Sequence, residues 1–200
     1  MTVWIVEPRD PLIVRDGRPF GPVPGARAVS LPFPFPSTVA GGVRTREGLD
    51  ASGFFPPSAV ARVKQVRVRG PLLVELDTAG EIAEWFAPAP SDALVLDLDE
   101  RSRKAALLKT LVPLQTLPGA ATDLPEGLAL VGLPRPDPRK PSGDAPRYWR
   151  WPFFERWLLG PKDQEVEFAQ MGHHGPVREA RMHVGIRPET QTADEEAGAL

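Results

Sequence analysis

The sequence predicts an α+β fold, an antiparallel sheet with helices on one face in a ferredoxin-like arrangement. Three observations carry this. Strand-like and helix-like runs alternate along the chain. None of the segments between strands has the length of the crossover helices that build a doubly wound parallel sheet. The 25 prolines and 18 glycines among 200 residues demand many turns and short elements, while 42% apolar and 25% charged residues are ordinary for a globular chain. Two hundred residues bury a sizeable core, and the reading is one domain over residues 1–200.

The elements follow in order. Thr2 to Val6, rich in β-branched and aromatic residues, reads as a first strand. "PLIVRDGRPF" continues as an extended run and turns at Asp16-Gly17. "GPVPGARAVSLPFPFP" is loop or polyproline-like, because each proline biases its predecessor away from helix. Ser37 then caps a helix running to about Arg46, with Gly48 just past its end. "VKQVRVRGPLLVEL" alternates Val66 and Val68 against Arg67 and Arg69, a strand with a basic face. Trp85-Phe86 anchors a turn against the core, and "DALVLDLD" is another strand.

Further on, "RSRKAALLKT" reads as a short helix and "GLALVGL" as a buried strand. "PRPDPRKPSGDAP" is an exposed loop, so mobile insertions are expected at about 134–147 and 170–178. In "RYWRWPFFERWLLGP", Pro152 suits a first helical turn, and Phe153, Phe154, Trp157 and Leu158 share one face. Trp149, Trp151 and Trp157 could stack bases, but their helical spacing favours a core or partner interface. "ARMHVGIRP" returns to a strand.

Charge is segmented. Residues 1–70 hold 10 basic and 5 acidic side chains, 71–100 hold 8 acidic and no basic, 101–161 hold 10 basic and 5 acidic, and 162–200 hold 4 basic and 8 acidic. That pattern offers one face to a polyanion and another to a protein, unless folding mixes the blocks. Arginine outnumbers lysine 19 to 5, which suits planar contacts to phosphates and bases. The absence of cysteine rules out disulfides and thiolate metal sites and fits a cytoplasmic protein. No run is long enough to span a membrane, and "MTVWIVEPRD" does not read as a signal peptide.

Catalytic chemistry finds little support. There is no phosphate-loop lysine motif, no dinucleotide fingerprint and no nucleophile elbow. His173 and His174, adjacent in a Gly-flanked loop, diverge rather than converge, with a nuclease general base as the alternative role; His183 reads as a strand face residue. Asp97 and Asp99 share a strand face but lack a third ligand. No catalytic residue, metal site or cofactor is expected.

The helix at Ser37 is more informative. At 100° per residue, Val39, Ala40 and Val43 share one face. Ser37, Gly41 and Thr45 form a stripe of small residues on the other side, flanked by Thr38, Gly42 and Arg44. Such a stripe admits another backbone closely, at a glycine cost of roughly 1 kcal/mol each. Two readings stand open: a nucleic-acid strand meeting the helix-start amides, the hydroxyls and the arginines Arg44 and Arg46, or tight packing inside the domain.

"DPLIVRDGRPF", "PSTVAGGVRT", "WFAPAPSDALVL" and "EARMHVGIRPETQTA", in this order from Asp10 to Ala193, resemble the third-subunit family of the type III-B CRISPR (Cmr) effector complex. That family belongs to the RAMP superfamily of ferredoxin-like, RRM-type folds. The resemblance implies a non-catalytic subunit that holds the 5′ tag of the CRISPR RNA. It also implies contacts with the large polymerase/cyclase-like subunit and a RAMP backbone subunit. Carried over by position, the RNA-binding candidates are Arg15, Arg18, Ser37, Thr38, Gly41, Arg44 and Arg46. An endoribonuclease of the same superfamily, acting through His173 or His174, is the alternative. Full family members continue into a second ferredoxin-like half with a Gly-rich loop, so the resemblance also implies an incomplete second half and an exposed apolar surface near the C-terminus.

Overall fold

Aromatic side chains from one short stretch decide where the core lies. The computed structural model describes residues 2–15, 17, 30–98, 104–115, 119, 121–179 and 186–192. In chain order the helices and first strands are α1 (Pro36–Gly48), α2 (Ala59–Lys64), β1 (Leu73–Leu76), β2 (Ile82–Pro88), β3 (Ala93–Asp97), β4 (Ala105–Thr110), β5 (Val112–Pro113) and β6 (Val131–Gly132). There follow β7 (Tyr148–Arg150), α3 (Trp151–Leu159), β8 (Gln164–Glu167), α4 (Phe168–Met171) and β9 (Gly172–His173). The fold is α+β with antiparallel pairing throughout, as predicted. Two compact units divide it: Met1–Pro71 with Pro176–Leu200, and Leu72–Gly175.

The continuous unit contains the sheets. One has the order β1-β2-β7-β9, a second β3-β4-β8, and β5-β6 is a separate two-stranded ribbon. Val95, Ala106, Leu108 and Val166 from the three-stranded sheet share a buried cluster with Trp149 of β7, Phe153 and Trp157 of α3, and Met171 of α4. Trp149 meets Phe153 edge-on at 5.0 Å and Trp157 at 5.7 Å between ring centres, the edge-to-face geometry worth about 0.5–1.5 kcal/mol per pair beyond area burial. The Trp157 indole N–H donates to Asp92 Oδ1 at 3.0 Å, so the polar end of the ring is satisfied. Phe153 and Trp157 are buried and Phe154 is half-buried, but Leu158, the fourth member of the predicted face, is exposed.

Several elements differ from the sequence reading. "RSRKAALLKT" yields the central strand β4 rather than a helix; residues 101–103 lie outside the described residues. Ala106 and Leu108 point inward and are fully buried, and β4 pairs with β3 on one side and β8 on the other. Those two partners override the helical propensity of Ala, Leu and Lys. Trp85-Phe86 lies within β2, not at a turn, and Phe86 is fully buried. "GLALVGL" contributes only Val131–Gly132, and Leu128, Leu130 and Val131 stay exposed because a two-stranded ribbon supplies no covering layer.

Segment 134–147 runs beside β3: the Asp97 amide donates to the Lys140 carbonyl at 2.9 Å and the Ser142 amide to the Val95 carbonyl at 2.8 Å. At the chain's later turn, Gly172 has φ +155°, and a Cβ there would collide with the Tyr148 carbonyl, so only glycine lets β9 lie against β7.

The other unit is built around α1 and α2. Arg62 of α2 donates to the Glu47 carbonyl at 2.9 Å, satisfying a carbonyl left open in the last turn of α1. Ala59 and Val63 are its buried apolar side chains. Thr2 to Val6 forms no strand; no described strand pairs with it, and Val3, Trp4, Ile5 and Val6 are exposed. Arg15 and Ser30 form an isolated antiparallel bridge, where the Leu31 amide reaches the Val14 carbonyl at 2.6 Å. Most of "ARMHVGIRP", with His183, and Asp16 of the predicted turn lie outside the described residues.

Candidate nucleic-acid interface

Helix α1 begins at Pro36, not Ser37. Pro36 occupies the first turn, where its missing N–H costs nothing, and Phe35 takes the cap position without a side-chain hydrogen bond. Ser37 and Thr38 therefore sit within the first turn with exposed side chains. At the far end, Gly48 is the last helical residue rather than the one beyond it. Any Cβ at Gly48 would enter the Phe55 ring, so the glycine serves packing.

The two faces of α1 divide as the spacing predicted. Val39, Ala40 and Val43 are half-buried, and Ser37, Thr38, Gly41, Gly42 and Thr45 are exposed. A Cβ at Gly41 or Gly42 would meet nothing within 4 Å, so neither glycine is required by internal packing. The small-residue stripe is open to solvent.

The arginines take different positions. Arg44 is half-buried and turns its guanidinium onto the chain's own backbone: Nε donates to the Val66 carbonyl at 3.3 Å and Nη2 at 3.1 Å. Arg46, in the last turn, is exposed and makes no hydrogen bond or ion pair with a described residue. Arg15 is exposed on the Arg15–Ser30 bridge. Arg18 lies outside the described residues. Ser37, Thr38, Gly41, Arg44 and Arg46 are thus brought together by α1, whereas Arg15 belongs to a different segment of the same unit.

The predicted strand through Val66 and Val68 begins only at Leu73, yet the alternation in burial is present. Val66 and Val68 are half-buried, and Arg67 and Arg69 are exposed. Just after α1, Asp50 Oδ1 accepts the Ser52 hydroxyl at 2.6 Å and the amides of Ser52 and Phe54. The Ser52 hydroxyl first, then these amides, hold its carboxyl below the usual range.

The histidine site has a different character. His173 lies in β9, paired with Tyr148, and its ring is 4.4 Å from that of Phe86. Its Nδ1 accepts the Gly175 amide at 2.8 Å, and Nε2 stands 4.0 Å from a Glu75 oxygen. His174 is exposed. Asp97 closes β3, and Asp99 lies outside the described residues. Among the described residues no cluster of three or more potential ligands could hold a metal, and no helix is long and apolar enough to cross a membrane.

A family model described as CRISPR-associated protein (Cas_Cmr3) matches residues 4–198. The chain belongs to this family. Membership makes it a subunit of the Cmr complex of type III-B CRISPR defence, as the four sequence stretches indicated. The match extends over both units, so α1 and the aromatic core lie within the Cas_Cmr3 region. No curated protein and no solved structure matches the chain.

Proposed function

We propose that this Cmr subunit is a non-catalytic RNA-binding component that holds the 5′ tag of the CRISPR RNA. The observation that carries the reading is the bare face of α1. Ser37, Thr38 and Gly41 are exposed without bulk, and Arg46 stands at the end of the same helix with no described partner. A sugar–phosphate chain can approach such a face closely and meet hydroxyls and positive charge. Arg44, through the part of its guanidinium not spent on Val66, and Arg15 and Arg18 from the preceding segment extend the contact. In the assembled complex the subunit meets the large polymerase/cyclase-like subunit and a RAMP backbone subunit in the cytoplasm. Its sheets belong to a ferredoxin-like, RRM-type architecture.

The packing of His173 against Phe86, with Nδ1 occupied by its own loop, supports the non-catalytic reading over an endoribonuclease. The test is RNA affinity across a salt series. Arg46→Ala is expected to weaken binding of single-stranded repeat RNA and to reduce the salt slope by about 0.7, the value for one lost phosphate contact on a single strand. Unchanged affinity and slope would remove α1 from the interface. Metal-independent cleavage of repeat RNA that disappears on His173→Ala or His174→Ala would make the subunit an enzyme.

A further inference from the structure

Residues 51–70 contain Arg62, Lys64, Arg67 and Arg69 and no acidic side chain. Arg62 is committed to the Glu47 carbonyl. Arg67 and Arg69 are exposed, and neither makes a hydrogen bond or ion pair with a described residue. They alternate with the half-buried Val66 and Val68, so the two arginines, two residues apart, share the exposed side of the segment.

The strip is held rather than loose. Its backbone enters from the end of α2, where the Gln65 amide donates to the Arg62 carbonyl and the Val66 amide to the Val63 carbonyl, each at 3.1 Å. Val63 is buried below. The Val66 carbonyl, immediately before Arg67, is gripped by Arg44 of α1. Arg44 thereby ties the strip to the same end of α1 that carries Arg46.

We propose that Arg67 and Arg69 form a second phosphate-contacting strip of the RNA interface, with Arg44 acting as its positioning residue. The inference rests on the RNA-binding reading above and deepens it. A nucleic-acid backbone fits better than an acidic protein partner. Between Lys64 and Gly70 the exposed side chains are Lys64, Gln65, Arg67 and Arg69, with no aromatic or aliphatic anchor among them; the exposed Phe54 and Val60 come earlier in the chain and Leu72 follows. Protein interfaces draw their affinity from such anchors, whereas phosphates are bound by charge and by the planar guanidinium fork. Regular spacing on one side also matches the repeating charge of an extended strand.

The experiment measures fluorescence anisotropy of labelled oligouridylate with the complete chain between about 50 and 200 mM salt. Arg67→Ala/Arg69→Ala is expected to reduce the salt slope by about 1.4, two single-strand contacts at about 0.7 each. Arg67→Lys/Arg69→Lys is expected to keep the wild-type slope, which separates charge from misfolding. Arg44→Ala is expected to reduce the slope more in the wild-type background than in the Arg67→Ala/Arg69→Ala background, where only its own phosphate contact is left to lose, and equal reductions in the two backgrounds would overturn its positioning role. If Arg46→Ala weakens binding while the Arg67/Arg69 alanine variant keeps both slope and affinity, the strip is refuted and the α1 reading survives. Absence of wild-type binding at the lowest salt overturns both. An unchanged RNA slope with impaired assembly of the Cmr complex would assign the strip to a protein partner and overturn the proposal.

Discussion

The two units of this chain differ in how much apolar side chain they bury. Among the described residues, the continuous unit, Leu72–Gly175, contains twelve of the fourteen buried apolar side chains, including Trp149, Phe153, Trp157 and Met171. The unit containing α1 and α2 contributes Ala59 and Val63 among the described residues, and it exposes Trp4, Ile5 and Val6 along with Arg46, Arg67 and Arg69. A side chain removed from the first leaves a hole among packed neighbours. One removed from the second mainly alters what the surface offers. Equivalent mutations should therefore give opposite profiles in the two units.

The largest effect is expected at the aromatic centre. Trp149→Ala should cost about 3–5 kcal/mol in chemical denaturation, whereas Val43→Ala on the half-buried face of α1 should cost less than about 1.5. A comparable loss at Val43 would show that the α1 unit has a core of similar quality. Glycines sharpen the contrast. Gly172→Ala should destabilise by about 2–3 kcal/mol, since the added carbon meets the Tyr148 carbonyl at a positive φ. Gly41→Ala should instead stabilise α1 by about 0.4–1 kcal/mol, because the site is open and helical. Thermal melts of the two variants test the pair, and a destabilising Gly41→Ala would mean that the stripe is covered.

Arg44→Ala comes next, at about 1–2 kcal/mol for the charge-assisted bonds to the Val66 carbonyl. Hydrogen exchange should accelerate over residues 59–70 and leave the aromatic core protected. The smallest effect is expected at Asp163. The Thr110 amide first, then the Lys109 ammonium 3.0 Å away, hold its carboxyl below the usual carboxylate range. A carboxylate lowered on folding stabilises above its unfolded pKa, and that contribution fades as pH falls toward the folded value. Asp163→Asn should therefore lower stability slightly near neutral pH and flatten its acid dependence. A half-exposed ion pair of this kind gives only a small change.

Legibility followed the same division. The amphipathic split of α1, the edges of β3 and the inward Phe153 and Trp157 could be read from spacing, because each depends on local periodicity. β4 could not: "KAALLK" favours a helix until two neighbouring strands claim both its edges. β8 was unassigned because its partner β4 lies far away in sequence, whereas β1 was blurred into the preceding basic run and β2 was read as a turn even though the two pair as neighbours. The Arg44 clamp was equally hidden, since nothing in the chain marks a backbone carbonyl 22 residues onward as its acceptor. Arg67 and Arg69 were visible as a basic face; their alternation with valines and the lack of nearby acids were the available signal, and the family-derived candidates did not include them.

The chain order of the units has a consequence for synthesis. The α1 unit is assembled from both ends of the sequence, and the 104 residues of Leu72–Gly175 lie between its pieces. Closing an unstructured loop of that size costs about 4 kcal/mol. On the ribosome, the aromatic unit has all its residues before Pro176 is made, and it can fold first. Its collapse shortens the tether, so Arg178 meets the Ser30 carbonyl only as a late event. The α1 unit would mature last, after Leu72–Gly175 has already folded.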